Sequence, residues 1–320
     1  MKSPVRSAFA LMILAGLLAW ACGGSLPSIP TPIPTPTPKA TPGVPAIFAT
    51  GDISCDSATP QLACKSKETS DLILREKETR EGIIALPLGD LQYDVGSLAE
   101  FNASYDKTWG RLNDVAHPAV GNHEYDTARA AGYFTYFQTK GVFVGASNEL
   151  WYDFDFAGWH FVSLNSNCDR VGCNAGSAQY RWLDANLSQN KAKRCTVAYM
   201  HHPFRSSGLN GDTQALQPLM QLLYTNNVDI VLAGHDHDFE VFDPITPQVV
   251  SDPEKGLRMF VVGTGGRDIQ GWTRPAVFPT AYRFNEAFGV LKIELKETQY
   301  QWAFVATNNT VVKTGNGTCF

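Results

Sequence analysis

The chain has 320 residues, 44% of them hydrophobic and 18% charged, with a formal net charge of −5. That length and apolar content suffice for one large folded domain, and the charge bias is too small for a disordered chain. No Lys/Arg run appears, so the electrostatic footprint of a nucleic-acid binder is missing, while small phosphate esters stay open as ligands.

Residues 1–21 read as a signal peptide. Lys2 and Arg6 precede an apolar run from Ala8 to Leu18 that is too short to cross a bilayer as a helix. Ala19-Trp20-Ala21 fits a small-x-small cleavage site. Cys22, followed by Gly23-Gly24-Ser25, resembles a bacterial lipoprotein signal whose cysteine is acylated; Trp20 and Ala19 depart from the residues usual there. The expectation is an exported chain: a lipoprotein at the cell surface or in the periplasm, or a freely secreted protein. Membrane contact is expected only through the lipid anchor. Residues 22–45 read as a tether, because the Pro/Thr alternation from Pro30 to Pro38 favours polyproline II over helix or sheet. At about 3.1 Å per residue it would hold the domain ~60 Å from its anchor. Residues 46–320 then read as one folded unit with no internal repeat or second linker.

Within that unit, five apolar stretches stop at residues able to bind a metal. Ala46 to Thr50 leads to Gly51-Asp52, and a loop with Cys55 and Cys64 follows. A helix is expected from Glu68 to Arg80. The strand Ile83 to Leu88 leads to Gly89-Asp90-Leu91-Gln92-Tyr93, and Leu98 to Trp109 reads as an amphipathic helix. A third strand, His117 to Val120, leads to Gly121-Asn122-His123-Glu124. The aromatic-rich stretch Gly132 to Val144 reads as core, or alternatively as a cleft wall. Trp151 to Phe156 and Trp159 to Leu164 alternate around Ala157-Gly158, which predicts a hairpin, with His160 structural. Ser177 is placed to cap a helix through Leu183 and Leu187. Thr196 to Met200 leads to His201-His202-Pro203, a helix follows through Leu216 and Leu223, and Val228 to Ala233 leads to Gly234-His235-Asp236-His237. Arg258 to Val262 is a further strand ending in Gly263-Thr264-Gly265-Gly266, and the tail alternates over 289–295 and 299–305. Strands and helices alternate early and hairpins come late, which predicts an α/β sandwich of two mixed β-sheets flanked by helices.

Five of the seven histidines (123, 201, 202, 235, 237) fall in the short motifs at the ends of the five metal-capable stretches. His235 and His237, two residues apart in extended backbone, would lie about 6–7 Å from each other on one side. That suits one histidine on each of two ions roughly 3.5–4 Å apart. The strand ends together read as one site.

The ordered set Gly51-Asp52, Gly89-Asp90-Leu91-Gln92-Tyr93, Gly121-Asn122-His123-Glu124, His201 and Gly234-His235-Asp236-His237 resembles the calcineurin-like metallophosphoesterases. Tyr93, three residues after Asp90, resembles the purple acid phosphatase branch of that superfamily. The resemblance implies a metallophosphoesterase-type sandwich and a binuclear metal centre bridged by Asp90. One metal would take Asp52, Tyr93 and His237, the other Asn122, His201 and His235. Hard anionic oxygens on the first suit Fe(III), and imidazoles with an amide oxygen on the second suit Zn(II), Mn(II) or Fe(II). Tyr93 is otherwise a cleft-lining aromatic. The resemblance also implies hydrolysis of a phosphate monoester, with His123 as hydrogen-bond donor or leaving-group acid and Glu124 as its orienting partner. His202 is either a second donor or a capping residue before Pro203. The branch usually places another histidine several residues further on, where this chain reads Pro203-Phe204-Arg205-Ser206-Ser207-Gly208. Arg205 either binds phosphate or sits on the surface. A phosphodiesterase or nucleotidase of the same superfamily, and a non-catalytic surface-binding lipoprotein, are the alternatives.

With Cys22 set aside, six cysteines allow 15 connectivities. Export favours disulfides over a thiolate metal site, and no Cys-x-x-Cys is present. Locality predicts Cys55–Cys64 and Cys168–Cys173, which leaves Cys195 with Cys319. Oligomeric state is left open.

Overall fold

The structure, a computed structural model, describes residues 41–55, 64–193, 195–272 and 275–320. The expected signal peptide, Cys22 and most of the tether lie outside the described residues.

In chain order the strands are β1 (Thr41–Thr50), β2 (Arg80–Pro87), β3 (Tyr152–Phe156), β4 (Trp159–Ser163), β5 (Thr196–Tyr199) and β6 (Ile230–Ala233). β7 (Phe239–Phe242), β8 (Arg258–Val262), β9 (Thr280–Phe284), β10 (Gly289–Leu295), β11 (Gln299–Ala306) and β12 (Val311–Thr318) follow. They form two sheets among the described residues, ordered β12-β11-β10-β1-β2 and β3-β4-β5-β6-β8-β7-β9. Both are mixed, as expected: β1 runs parallel to β2 but antiparallel to β10, and β4, β5, β6 and β8 run parallel between antiparallel edges.

Period-2 alternation explains the layering. On β1, Ile47 and Ala49 face the second sheet, where Phe161, Val197, Tyr199, Leu232 and Phe260 meet them in a buried layer. Ala46 and Phe48 face the other way, onto Leu72 and Ile73 of α1 (Ser66–Thr79) and onto the aromatic group Phe101, Tyr105, Trp109, Tyr133, Tyr136 and Phe137. Tyr133, Tyr136 and Phe137 of the aromatic stretch are therefore core and not cleft wall, whereas Phe143 near its end is exposed. On the far side of the second sheet, Ala198, Val231 and Val261 pack on helices Ala178–Gln189 and Gln217–Thr225. Ser177 caps the first of these, its side chain accepting from the Tyr180 N–H.

Three expectations shift. β1 begins at Thr41, inside the expected tether, because Thr41 and Pro42 pair with Arg80 and Glu81. Proline is tolerated there since β10 pairs only from Ala46 onward, leaving that edge free. The stretch before Gly121 is not a strand but a pair of bridges to β2, with His117 N–H donating to Ala85 O and Ala119 N–H to Pro87 O. Pro118 between them has no N–H to continue a ladder. The helix from Leu98 stops at Ala103 and gives way to 3₁₀ turns. The Gln92 side chain takes the Tyr105 N–H at 3.0 Å, so the helical ladder ends there.

Candidate metal centre

The donor residues sit on the loops that leave β1, β2, β5 and β6 and on the loop after Ala119. These loops approach so closely that side chains are excluded from their turns. A Cβ on Gly121 would lie 2.2 Å from Asp90 N and Oδ1. A Cβ on Gly89, whose φ is +82°, would lie 2.5 Å from His201 Cβ. Asp52 and Asp90 themselves adopt positive φ, at 61° and 48°. Left-handed backbone costs a non-glycine residue about 1–2 kcal/mol, and such strain concentrates at functional sites.

The seven side chains expected as ligands do come together. Tyr93 Oη lies 2.9 Å from Asp52 Oδ1, 3.1 Å from Asp90 Oδ2 and 3.2 Å from His237 Nε2. His237 Nε2 is 3.3 Å from Asp52 Oδ1. On the other side, His201 Nε2 lies 3.2 Å from Asp90 Oδ2, 3.0 Å from Asn122 Oδ1 and 3.1 Å from His235 Nδ1. Asp90 thus stands between two groups, Asp52-Tyr93-His237 and Asn122-His201-His235. The histidines of the Gly234 loop reach different groups, but not from extended backbone: His235 has a φ of 73°.

The electrostatics call for cations. Asp52 and Asp90 are buried carboxylates, and buried anions need a compensating charge. The neighbouring histidines supply part of it. Burial alone would push His201 down, yet Asp90 and Asp52 hold it up at about 9. His237 is likewise raised to about 10, against burial, by Asp52 and Asp268. Asp90 is driven well below the carboxylate range despite burial, by His201 and His123. Burial and the two carboxylates beside Tyr93 keep its phenol protonated far past the usual range. Burial and the charge on His201 lower His235 to about 4. The Asp52, Asp90 and His201 donor atoms lie within 4.8 Å of one another, as do those of His201, His202 and His235. Hard oxygens on one side and imidazoles on the other fit a pair of cations.

What lies behind the rings fixes their orientation. His201 Nδ1–H donates to Leu88 O at 2.9 Å, and His237 Nδ1 faces the Asp268 carboxylate, so both present Nε2 to the site. His123, with its ring centroid 4.3 Å from that of Tyr93, has Nδ1 against Asp94 O and 3.7 Å from Asp126 Oδ2. Glu124 does not orient His123, contrary to expectation. Its carboxylate instead accepts the backbone N–H groups of Gly121, Asp90, Leu91 and Gln92 at 2.7–3.3 Å, tying the Gly89 loop to the Gly121 loop. Arg205 is paired with Asp212 and donates to Phe278 O, so it is committed to holding its loop and not to phosphate. His202 bonds Ser166 and does not serve as a helix cap.

Asp268, Asp94, Ser166 and Arg267 escaped the sequence reading. Arg267 stacks its guanidinium 4.8 Å from the Tyr93 ring centroid and bonds Asp94 Oδ1 at 3.0 Å. The Gly-rich turn after Val262 was visible, but nothing in its spacing marked the charged pair that follows it. All three disulfides form as expected: Cys55–Cys64, Cys168–Cys173 and Cys195–Cys319.

The chain is similar to several known proteins in sequence and in fold. Purple acid phosphatase 23 of Arabidopsis thaliana is 33% identical over 176 residues, covering 49% of this chain and 37% of that protein. Probable inactive purple acid phosphatase 9 of the same plant is 25% identical over 322 residues, covering 82% of this chain and 48% of its own length. The chain thus spans less than half the length of these curated relatives. The structure of purple acid phosphatase PPD1 from yellow lupin (Lupinus luteus) superposes with a TM-score of 0.73 at 18% identity, covering 88% of this chain and 55% of that one. The sequence profile named calcineurin-like phosphoesterase matches residues 43–239, which takes in all seven donors. With the profile covering more than half of the chain, and its strand-end donors gathered around Asp90, this protein belongs to the calcineurin-like phosphoesterase family.

Proposed function

We propose that the chain is an exported hydrolase of phosphate monoesters that works with two metal ions. The observation that carries this reading is the convergence of seven donors on two sides of one shared carboxylate, Asp90. Asp52, Tyr93 and His237 would hold one ion, Asn122, His201 and His235 the other, with Asp90 facing both. Phenolate and carboxylate on the first favour Fe(III), and the second suits Zn(II), Mn(II) or Fe(II). When bound, such a pair supplies Lewis acidity toward phosphoryl oxygens and lowers the pKa of water from its bulk ~15.7 toward neutrality.

The chain's own residues do the rest. His123, part-exposed beside Asp90, has its ring fixed by Asp94 O and so presents Nε2 toward the cleft. There it can donate a hydrogen bond to the phosphoryl group or a proton to the leaving oxygen. Glu124 keeps the Asp90 and Asn122 loops at a fixed separation, and burial of Asp52, Asp90 and Tyr93 excludes water from beneath the reacting centre. Three disulfides fit a compartment outside the reducing cytosol. The leader and Cys22 favour delivery as a lipoprotein.

One curated relative carries the name probable inactive purple acid phosphatase 9, so a non-catalytic binding role is the second reading. A member that had lost activity would be expected to lose donors, and here every donor position is filled. A diesterase is separated from a monoesterase by assay: metal analysis with p-nitrophenyl phosphate and bis(p-nitrophenyl) phosphate decides. The proposal predicts turnover of the monoester and visible absorption that disappears in Tyr93→Phe. A colourless protein that still turns over the monoester shifts the metal assignment to zinc or manganese. Metal-replete protein inert toward both esters at every pH overturns the enzyme reading.

A further inference from the structure

We propose that Ser166 fixes His202 as a hydrogen-bond donor to the phosphoryl group, and that His202 is therefore a substrate-contacting residue and not a third imidazole on the second cation. This rests on the phosphatase reading above. Distance alone leaves the question open. The His202 ring centroid lies 4.9 Å from that of His201 and 4.4 Å from that of His235, and ring nitrogens of all three fall within 4.8 Å of one another.

What stands behind the ring decides it. Ser166 is buried, and its Oγ accepts the main-chain N–H of His202 at 2.8 Å and lies 2.9 Å from Nδ1 of the same residue. A hydroxyl has one proton to give, and a buried one must place it. Among the described residues the Ser166 hydroxyl has no acceptor other than His202 Nδ1. Ser166 therefore donates to Nδ1, that nitrogen carries the lone pair, and the ring proton sits on Nε2. A protonated Nε2 cannot ligate a cation, but it can donate to a phosphoryl oxygen.

The contrast with the neighbouring rings is direct. Behind His201 is a carbonyl, Leu88 O, and behind His237 is a carboxylate, Asp268. Both are pure acceptors that hold the proton on Nδ1 and free Nε2 for a metal. His202 alone among these three has a hydroxyl there. Ser166 is also held firmly. The next residue, Asn167, donates from Nδ2 to Gly121 O at 3.3 Å, and the Cys168–Cys173 disulfide closes the following turn. The Ser166 segment is thereby joined to the loop that carries Asn122 and His123.

The test uses the full chain loaded with zinc and labelled with ¹⁵N-histidine. Ring NMR should show His202 as the Nε2–H form; an Nδ1–H form overturns the proposal. Ser166→Ala should weaken competitive inhibition by inorganic phosphate by about 10–100-fold, with Ser166→Thr restoring it. Bound metal, measured by mass spectrometry, should stay unchanged in Ser166→Ala and in His202→Gln. Loss of one metal equivalent in His202→Gln would show that the ring is a ligand, and undiminished phosphate affinity in Ser166→Ala would show that the hydroxyl does not act. A chain that takes up no zinc and turns over no ester contradicts the phosphatase reading itself, while the tautomer of His202 still judges the Ser166 pairing.

Discussion

Glu124 concentrates more backbone contacts than any ligand at the site: four N–H groups from two loops end on one buried carboxylate. Replacing it with glutamine turns one accepting oxygen into a donor facing N–H groups. Glu124→Gln should lower kcat/KM by about 10–100-fold and weaken metal retention; steady-state kinetics with metal analysis checks both. Asp229 is the informative acid away from the site. Burial raises its carboxyl to about 7 from an ordinary 3.8, even though Thr196 N–H and Phe320 N–H donate to it at 2.7 and 2.9 Å. A folded-state value above the unfolded one means the native protein holds the extra proton between those two values. Stability from this group is thus full near pH 4 and is lost as pH rises through 7. Urea midpoints should show wild type losing ground to Asp229→Asn over that window; a pH-independent difference would contradict it. At this scale the sequence reveals donors and hides their supports. Asp52, Asp90 and the Gly-His-Asp-His run announce themselves by position after apolar runs, whereas Asp268 and Ser166 act across folds of chain that no short spacing records. The same blindness misplaced Glu124, since adjacency to His123 suggested a side-chain partner and the fold supplied backbone amides.

Among the elements, a continuous apolar run made β1 legible, alternation did so for the β3–β4 hairpin, β10 and β11, and the Ser177 cap fixed the start of its helix. Periodicity failed where a side chain competes with the backbone, as Gln92 does at Tyr105, or where proline removes a donor, as Pro118 does beside β2. The C-terminal strands are tied in covalently. Cys195, just before β5, joins Cys319 across 124 residues, and Phe320 N–H reaches Asp229 just before β6. Closing so long a loop constrains the unfolded chain, so the double variant Cys195→Ser/Cys319→Ser should lose about 2–5 kcal/mol. Denaturant unfolding measures it, and a change within error would show that the sheets hold the tail unaided.

At the scale of the molecule, two mixed sheets pack their inner faces together and deliver strand ends from both to one edge. Gly51 N–H bonds Val262 O, Asp52 N–H bonds Gly89 O and Gly234 N–H bonds His201 O, so the donor loops are laced by backbone before any ion is considered. This interdigitation explains why five short motifs spread along the chain could be read as one site: each follows a buried strand, and the strands share one core. The resemblance carried by those motifs supplied the order of the ligands, and the charge of the cluster supplies the need for cations. The central claim is that Asp90 stands between two metal ions held by the other six donors. Anomalous scattering from crystals of the metal-loaded protein tests it most directly. The account predicts two ions per chain, both touching Asp90, with Asp52, Tyr93 and His237 on one and Asn122, His201 and His235 on the other. A single ion, or ions lodged away from Asp90, would contradict it.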